Sequence, residues 1–404
     1  MSAHGVTRRL AQADVSIPST SSWSKLPLIG GGLAAAGAAG SAAFGLADHG
    51  QLFFSYLVAF LFFVSIAIGG LFFVLVNHLS RAGWGVVVRR LAENLMGTLP
   101  LFLLLFVPIA FGLHDLYHWA HHEAVAGDPV LAGKAVYLNP TFFLIRGFAF
   151  LVLWSAAGLW FLRTSVAQDS SGEPCLTRRM QMASAPMTLL FAVTVTLAAF
   201  DWIMSLEPHW FSTVFGVYFF SGCVVAVYAT MILLVLALDR SRLLGNAVSI
   251  EHVHDLGKML FAFVAFWAYI AFSQFMLIWY ANLPEETIWY SQRWDNSWRG
   301  ISIFLAVGHF IVPFFFLLSR AIKRNRTLLA CGAAWMLFIH LVDVHWLVMP
   351  THHREGFHFS LMDPAAILFV GGLFLVVLGL GLKKQALVPL KDPRLSESLA
   401  FENF

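Results

Sequence analysis

Residues 52–77 read LFFSYLVAFLFFVSIAIGGLFFVLVN, an uncharged and almost wholly apolar run. At about 1.5 Å per residue, a helix over this run is long enough to cross the ~30 Å hydrocarbon core of a bilayer. In lipid the backbone N–H and C=O groups have no water to bond, so a single crossing run must satisfy them as a helix. Comparable runs recur on either side. They predict helices over 27–47, 52–77, 87–113, 140–163, 180–204, 211–239, 254–280, 300–320, 327–349 and 362–382. The chain of 404 residues is 59% hydrophobic and 12% charged. Soluble domains are roughly 25% charged, so this composition cannot clothe a water-exposed domain of any size. The expectation is an all-α integral membrane protein of about ten transmembrane helices spanning 27–382, with tails at 1–26 and 383–404. The first span is rich in small residues, Gly30 to Gly40 and Ala43, which allow close helix approach in lipid.

Lys and Arg set the orientation, because cytoplasmic loops retain an excess of them. With the N-terminus inside, twenty of the 25 basic side chains fall on the inner side. Only Lys134, Arg293, Arg299 and Arg354 fall outside, and Arg146 lies within a span. Both termini are therefore expected in the cytoplasm, and the N-terminal segment reads as a tail, not a signal peptide. The net charge of +3 adds little, and no nucleic-acid partner is expected. The longer outer connections, 114–139, 281–299 and 350–361, hold most of the histidines and tryptophans. An Asp followed by His-Trp recurs near three outer helix ends, a hint of repeated bundles.

Ionisable groups inside a span cost roughly 2.5–3.5 kcal/mol on insertion scales and mark function by default. An inner layer holds Glu93, Asp255 and Lys258. Arg89 and Arg90 precede Glu93 by four and three positions, where helical side chains meet. Glu93 is therefore either one end of a local ion pair or the mouth of a proton path. Asp255 and Lys258 pair in the same way. An outer layer holds Arg146, Asp201, His340 and Asp343, with His309 near mid-membrane. Arg146 cannot shed its charge, and Asp201 and Asp343 are its natural partners. Glu285 and Glu286 follow Pro284 at the outer surface, as a proton exit, a solvated turn or partners of Arg293 or Arg299. Carboxylates and histidines at several depths are what a proton path requires.

Cofactor chemistry is thinly represented. Cys175, Cys223 and Cys331 have no CxxC or CxxCH spacing, which argues against an iron–sulfur cluster, a structural zinc or haem c on this chain. Two axial histidines at matched depth are also lacking, which argues against haem b. His114, His118, His121 and His122 read as a wet interfacial cluster before a metal site.

Two stretches carry more than pattern: Gln274–Tyr290, QFMLIWYANLPEETIWY, and Ala199–Tyr218, AFDWIMSLEPHWFSTVFGVY. Both resemble the F subunit of bacterial alternative complex III, a quinol:electron-acceptor oxidoreductase, among the polysulfide-reductase-like (NrfD-type) membrane subunits. The resemblance implies two four-helix bundles plus two extra helices in a bacterial cytoplasmic membrane. It implies a subunit without a redox cofactor of its own in a respiratory electron-transport complex that contains haem c, iron–sulfur clusters and menaquinol or another quinol. The implied partners are a paralogous C subunit, an iron–sulfur B subunit, cytochrome c subunits, small membrane subunits, lipids and a terminal oxidase. Proton translocation or quinone binding is the implied activity. The rival readings are a secondary transporter or ion channel, and a purely structural scaffold subunit.

Overall fold

The computed structural model describes residues 11–45 and 48–403, so the predicted end of the first span at residue 47 lies outside the described residues. Among them, all regular structure is helical. Ten helices are long and apolar enough to cross a membrane: α1 Ser22–Gly45, α2 His49–Leu79, α3 Val86–Phe111, α4 Pro140–Ser171, α5 Pro174–Leu206, α6 Phe215–Arg240, α7 Ile250–Ala281, α8 Trp298–Leu318, α9 Arg326–Thr351 and α10 Met362–Lys384.

The spans form two four-helix rings and a pair. Helices α2, α3, α4 and α5 close one ring, and α6, α7, α8 and α9 close the other. The rings meet through α2, which packs on α5, α6 and α9 and also carries α10. Helix α2 is buried along almost its whole length, as its unbroken apolar surface allows. Helix α1 rests on α10 alone along most of its run. Gly37 makes this possible: a Cβ there would stand 2.2 Å from the Phe369 amide nitrogen.

Local chemistry places the helix ends. Pro140 and Pro174 open α4 and α5 at positions where a missing N–H costs nothing. Gly172, at φ 70°, ends α4. Both helices run past their predicted ends at 163 and 180, because hydropathy marks where the lipid stops and not where the helix does. Helix α7 differs from expectation in a second way. It ends at Ala281 with Asn282 in the left-handed region (φ 51°), and Pro284 opens a new helix, Pro284–Trp294. In α8 the backbone widens to a π-helix over Ala306–Ile311. Pro313 follows and has no N–H to give the His309 carbonyl, which removes one rung of the ordinary ladder.

The first and last described segments lie on one side, here the terminal side. The Leu387 amide donates to Val15 O at 2.7 Å, and Lys383 Nζ to Ser24 O at 3.3 Å. Residues 385–403 fold back across this side as a strap. Ser398 Oγ donates to Trp84 O at 2.7 Å, and Asn403 Nδ2 to Asp255 Oδ1 at 2.8 Å.

Candidate functional site

The second ring encloses a buried carboxylate, Asp343 on α9. Tyr218 of α6 donates its hydroxyl to Oδ1 at 2.6 Å, and Trp267 of α7 donates Nε1–H to Oδ2 at 3.1 Å. His309, in the π-segment of α8, stacks on Trp267 with ring centroids 3.6 Å apart. Its Nδ1 stands 3.9 Å from Asp343 Oδ2, too far for a direct hydrogen bond. All four helices of the ring thus contribute one side chain.

His340 sits one turn earlier on α9 but faces α2. Its Nε2 lies 2.9 Å from Ser65 Oγ, and that hydroxyl donates to Phe62 O at 2.7 Å. Ser65 has one proton to give, so the network assigns Nε2–H to the imidazole and leaves Nδ1 as a lone pair. Gly222 of α6 leaves the ring its room: a Cβ there would lie 2.9 Å from His340 Cε1. His309 Nδ1 and Nε2 and His340 Nδ1 are buried without a hydrogen-bond partner in the chain. Each such group costs about 1–3 kcal/mol of unrecovered desolvation. The two on His309, beside a carboxylate, make a centre able to accept protons or bind water.

The first ring holds a counterpart. Arg146 of α4 grips Asp201 of α5 in a two-point pair, Nε to Oδ2 at 2.7 Å and Nη2 to Oδ1 at 2.9 Å. The guanidinium also donates to Tyr137 O at 3.0 Å, and its carbon lies 3.8 Å from the Tyr137 ring centre and 4.2 Å from that of Phe142. In each ring an acid on the fourth helix meets a basic side chain on the third. Asp201 is thus the partner expected for Arg146, whereas Asp343 belongs to the other ring. Nor do His340 and Asp343 join: their helical spacing fits a shared face, yet one looks to α2 and the other to α6, α7 and α8.

The remaining candidates lie elsewhere. Both oxygens of Glu93 are taken, by Arg89 Nε at 3.0 Å and Arg90 Nε at 2.8 Å. Arg89 reaches Asp392 of the strap at 2.7 Å, and Arg90 reaches Asp169 of α4 at 2.8 Å. With every oxygen committed, Glu93 serves as a clamp between α3, α4 and the strap. Asp255 and Lys258 pair at 2.5 Å on the terminal side. Glu285 is exposed and Glu286 half-buried, and among the described ion pairs they meet neither Arg293 nor Arg299. Arg293 instead turns inward to the carbonyls of Trp289, Trp346 and Leu347.

A further network has no counterpart in the sequence reading. On the side opposite the termini, Asp363 of α10 accepts from Ser55 Oγ at 2.6 Å and Gln51 Nε2 at 3.3 Å, both on α2. His345 Nε2 lies 3.8 Å from Asp363 Oδ2, and His353 Nε2 lies 2.6 Å from Gln51 Oε1. Burial pulls the His353 imidazole below its ordinary value, helped by His352 and His358 and opposed by Asp363. The only sequence signal was an Asp in the first turn of an apolar span.

Among the described residues, no group of three or more His, Cys, Asp or Glu is arranged to hold a metal ion. Comparison with known proteins finds no matching family model and no matching curated protein.

Proposed function

We propose that this multi-pass membrane protein is a subunit of a respiratory quinol-oxidising complex of the alternative complex III type, in a bacterial cytoplasmic membrane with the terminal side inward. It carries no redox centre in this reading. Its contribution is assembly together with proton movement through the Asp343–His309 centre. Menaquinol or a related quinol would be oxidised elsewhere in the complex, next to iron–sulfur and cytochrome c subunits.

One observation carries the reading. The two stretches that resemble the F subunit are far apart in the chain yet converge in space. Ser212 donates to Gln274 at 3.0 Å, and Trp210 stacks on Trp289 with centroids 4.6 Å apart. The last residue of the earlier stretch is Tyr218, which holds Asp343. Stretches that pack into one junction are constrained together, which favours reading the two as a single motif. A carboxylate with an adjacent unpartnered imidazole is a chemically competent proton station.

The test is purification of the full-length, tagged chain from its native membranes. Haem c absorbance and iron–sulfur paramagnetic signals should accompany it in fixed ratio. A lone homo-oligomer without either would overturn the reading. In the purified complex, Asp343→Asn should lower the proton-to-electron ratio while leaving assembly intact. An unchanged ratio would leave the chain a scaffold.

A further inference from the structure

On the side opposite the termini, the segment leading into α4 and the end of α5 enclose a cleft of about 400 Å³. This lies within the roughly 300–1,000 Å³ of pockets that hold small ligands. Its walls are Tyr137, Phe200, Met204, Trp210 and Phe211, with Lys134 at one edge. It sits where α4 begins and α5 ends, the interfacial level that Trp and Tyr favour. It opens through Val136, 87% exposed, and Phe211, 54% exposed. Phe142, whose ring lies 6.0 Å from Tyr137, continues the apolar surface along α4.

Around this cleft the Tyr137 hydroxyl is buried without a hydrogen-bond partner among the described residues, and the other polar side chains are engaged except for Lys134. Ser205 Oγ donates to Asp201 O, and Trp210 Nε1 to Glu286 O at 3.1 Å. Lys134 Nζ gives one proton to Pro208 O at 2.6 Å, which leaves two of its three donors. Its carboxylate neighbour Asp128 is bound to His209 at 2.5 Å and to the Val130 and Leu131 amides. Among the described ion pairs, none neutralises Lys134. Burial pushes its ammonium below the ordinary range, and only Asp128 opposes this. An apolar slot with one uncompensated cation at its lip, level with the lipid headgroups, has the polarity of an anionic amphiphile.

We propose that this cleft seats an acyl chain of an anionic phospholipid from the surrounding leaflet, with the phosphate held by Lys134. A free anion would leave the apolar walls unused. A zwitterionic lipid would bring its own cation to the ammonium. The assignment is independent of the proton-carrying role of Asp343.

Native mass spectrometry of the delipidated full-length protein tests it. The probes are dioleoyl phosphatidylglycerol, dioleoyl phosphatidylcholine and inorganic phosphate. One phosphatidylglycerol should bind with roughly five- to tenfold preference over phosphatidylcholine, the scale of a single cation–headgroup contact. Lys134→Gln should abolish the preference, and Lys134→Arg should retain it. Met204→Trp, which fills the cleft, should remove the tight equivalent for both lipids. Lys384→Gln, on the terminal side, should change nothing, and the lipid-free melting temperature of each variant reports folding. Equal affinity for the two lipids in the unmodified protein would overturn the assignment. So would an undiminished preference in Lys134→Gln, or displacement of the lipid by millimolar phosphate alone.

Discussion

Replacing Arg146 by Met removes a charge but keeps much of the side-chain stem. The unmodified pair has two contacts, 2.7 and 2.9 Å long, to a carboxylate with no solvent exposure. Taking away the cation leaves Asp201 buried and unpaired, which costs about 3–5 kcal/mol, or roughly 10²- to 10³·⁵-fold in the folding equilibrium. Protonation sets the ceiling. Neutralising a carboxyl of ordinary pKa about 3.9 at pH 7 costs about 4 kcal/mol, and at pH 5 only about 1.5 kcal/mol. The variant therefore folds with a proton that its unfolded chain releases, so its stability falls as pH rises, with a slope of up to about 1.4 kcal/mol per unit between pH 5 and 7. Arg146→Met/Asp201→Leu removes both charges and should recover most of the loss, since apolar replacement of a buried pair is often neutral or better. Reversible unfolding of the detergent-solubilised protein, followed by tryptophan fluorescence at pH 5, 6 and 7, measures all three quantities. The reasoning fails if Arg146→Met is as stable as the parent at pH 7. It fails equally if the double variant loses more than the single one.

Gly222→Ala would place a Cβ 2.9 Å from His340 Cε1. Overpacking of this kind costs about 1–3 kcal/mol, and the His340 imidazole resonance should shift as its Ser65 contact is lost. Gly37→Val should detach α1 from α10, because the added carbon would occupy the Phe369 backbone. Cysteines introduced at Gly40 and Ala365, where a Cβ at Gly40 would lie 3.1 Å from that of Ala365, then lose cross-linking efficiency relative to the same pair without Gly37→Val. Deleting residues 385–403 frees Arg89 from Asp392 and Asp255 from Asn403. The melting temperature should drop, with the terminal ends of α3 and α7 gaining hydrogen exchange first. An unchanged exchange map would show that the strap is not a structural element.

The ten crossings were legible because length, apolarity and Lys/Arg placement all depend on the bilayer, a solvent that the sequence answers residue by residue. Glu93 was legible in part: Arg89 and Arg90 stand at helical spacing, but Asp169 and Asp392 reach the cluster from 76 and 299 positions away. Arg146 and Asp201 were matched by depth, which sufficed because α4 and α5 are neighbours. Depth also suggested Asp343 for Arg146 and failed, because it carries no information about which ring a helix joins. His340 and Asp343 show the related limit. Three positions along a helix leave about 60° between side chains, enough on a helix packed all round to point them at different neighbours. Arg293 was one of the alternatives for pairing Glu285 or Glu286, and it instead turns to carbonyls between two indoles, a choice that only the folded surroundings determine.

The central position of α2 has a consequence for biogenesis. It leaves the ribosome early, whereas its packing partners α6, α9 and α10 emerge more than a hundred residues later. In the interval it must reside in lipid, which its greasy circumference permits. Within α2, Gln51 bonds Ser55 and Ser65 bonds the Phe62 carbonyl, while their later partners Asp363 and His340 have yet to be synthesised. With cysteine introduced singly at these three positions, a nascent chain arrested after α8 should leave them open to membrane-permeant thiol labelling, and completion of α10 should close them.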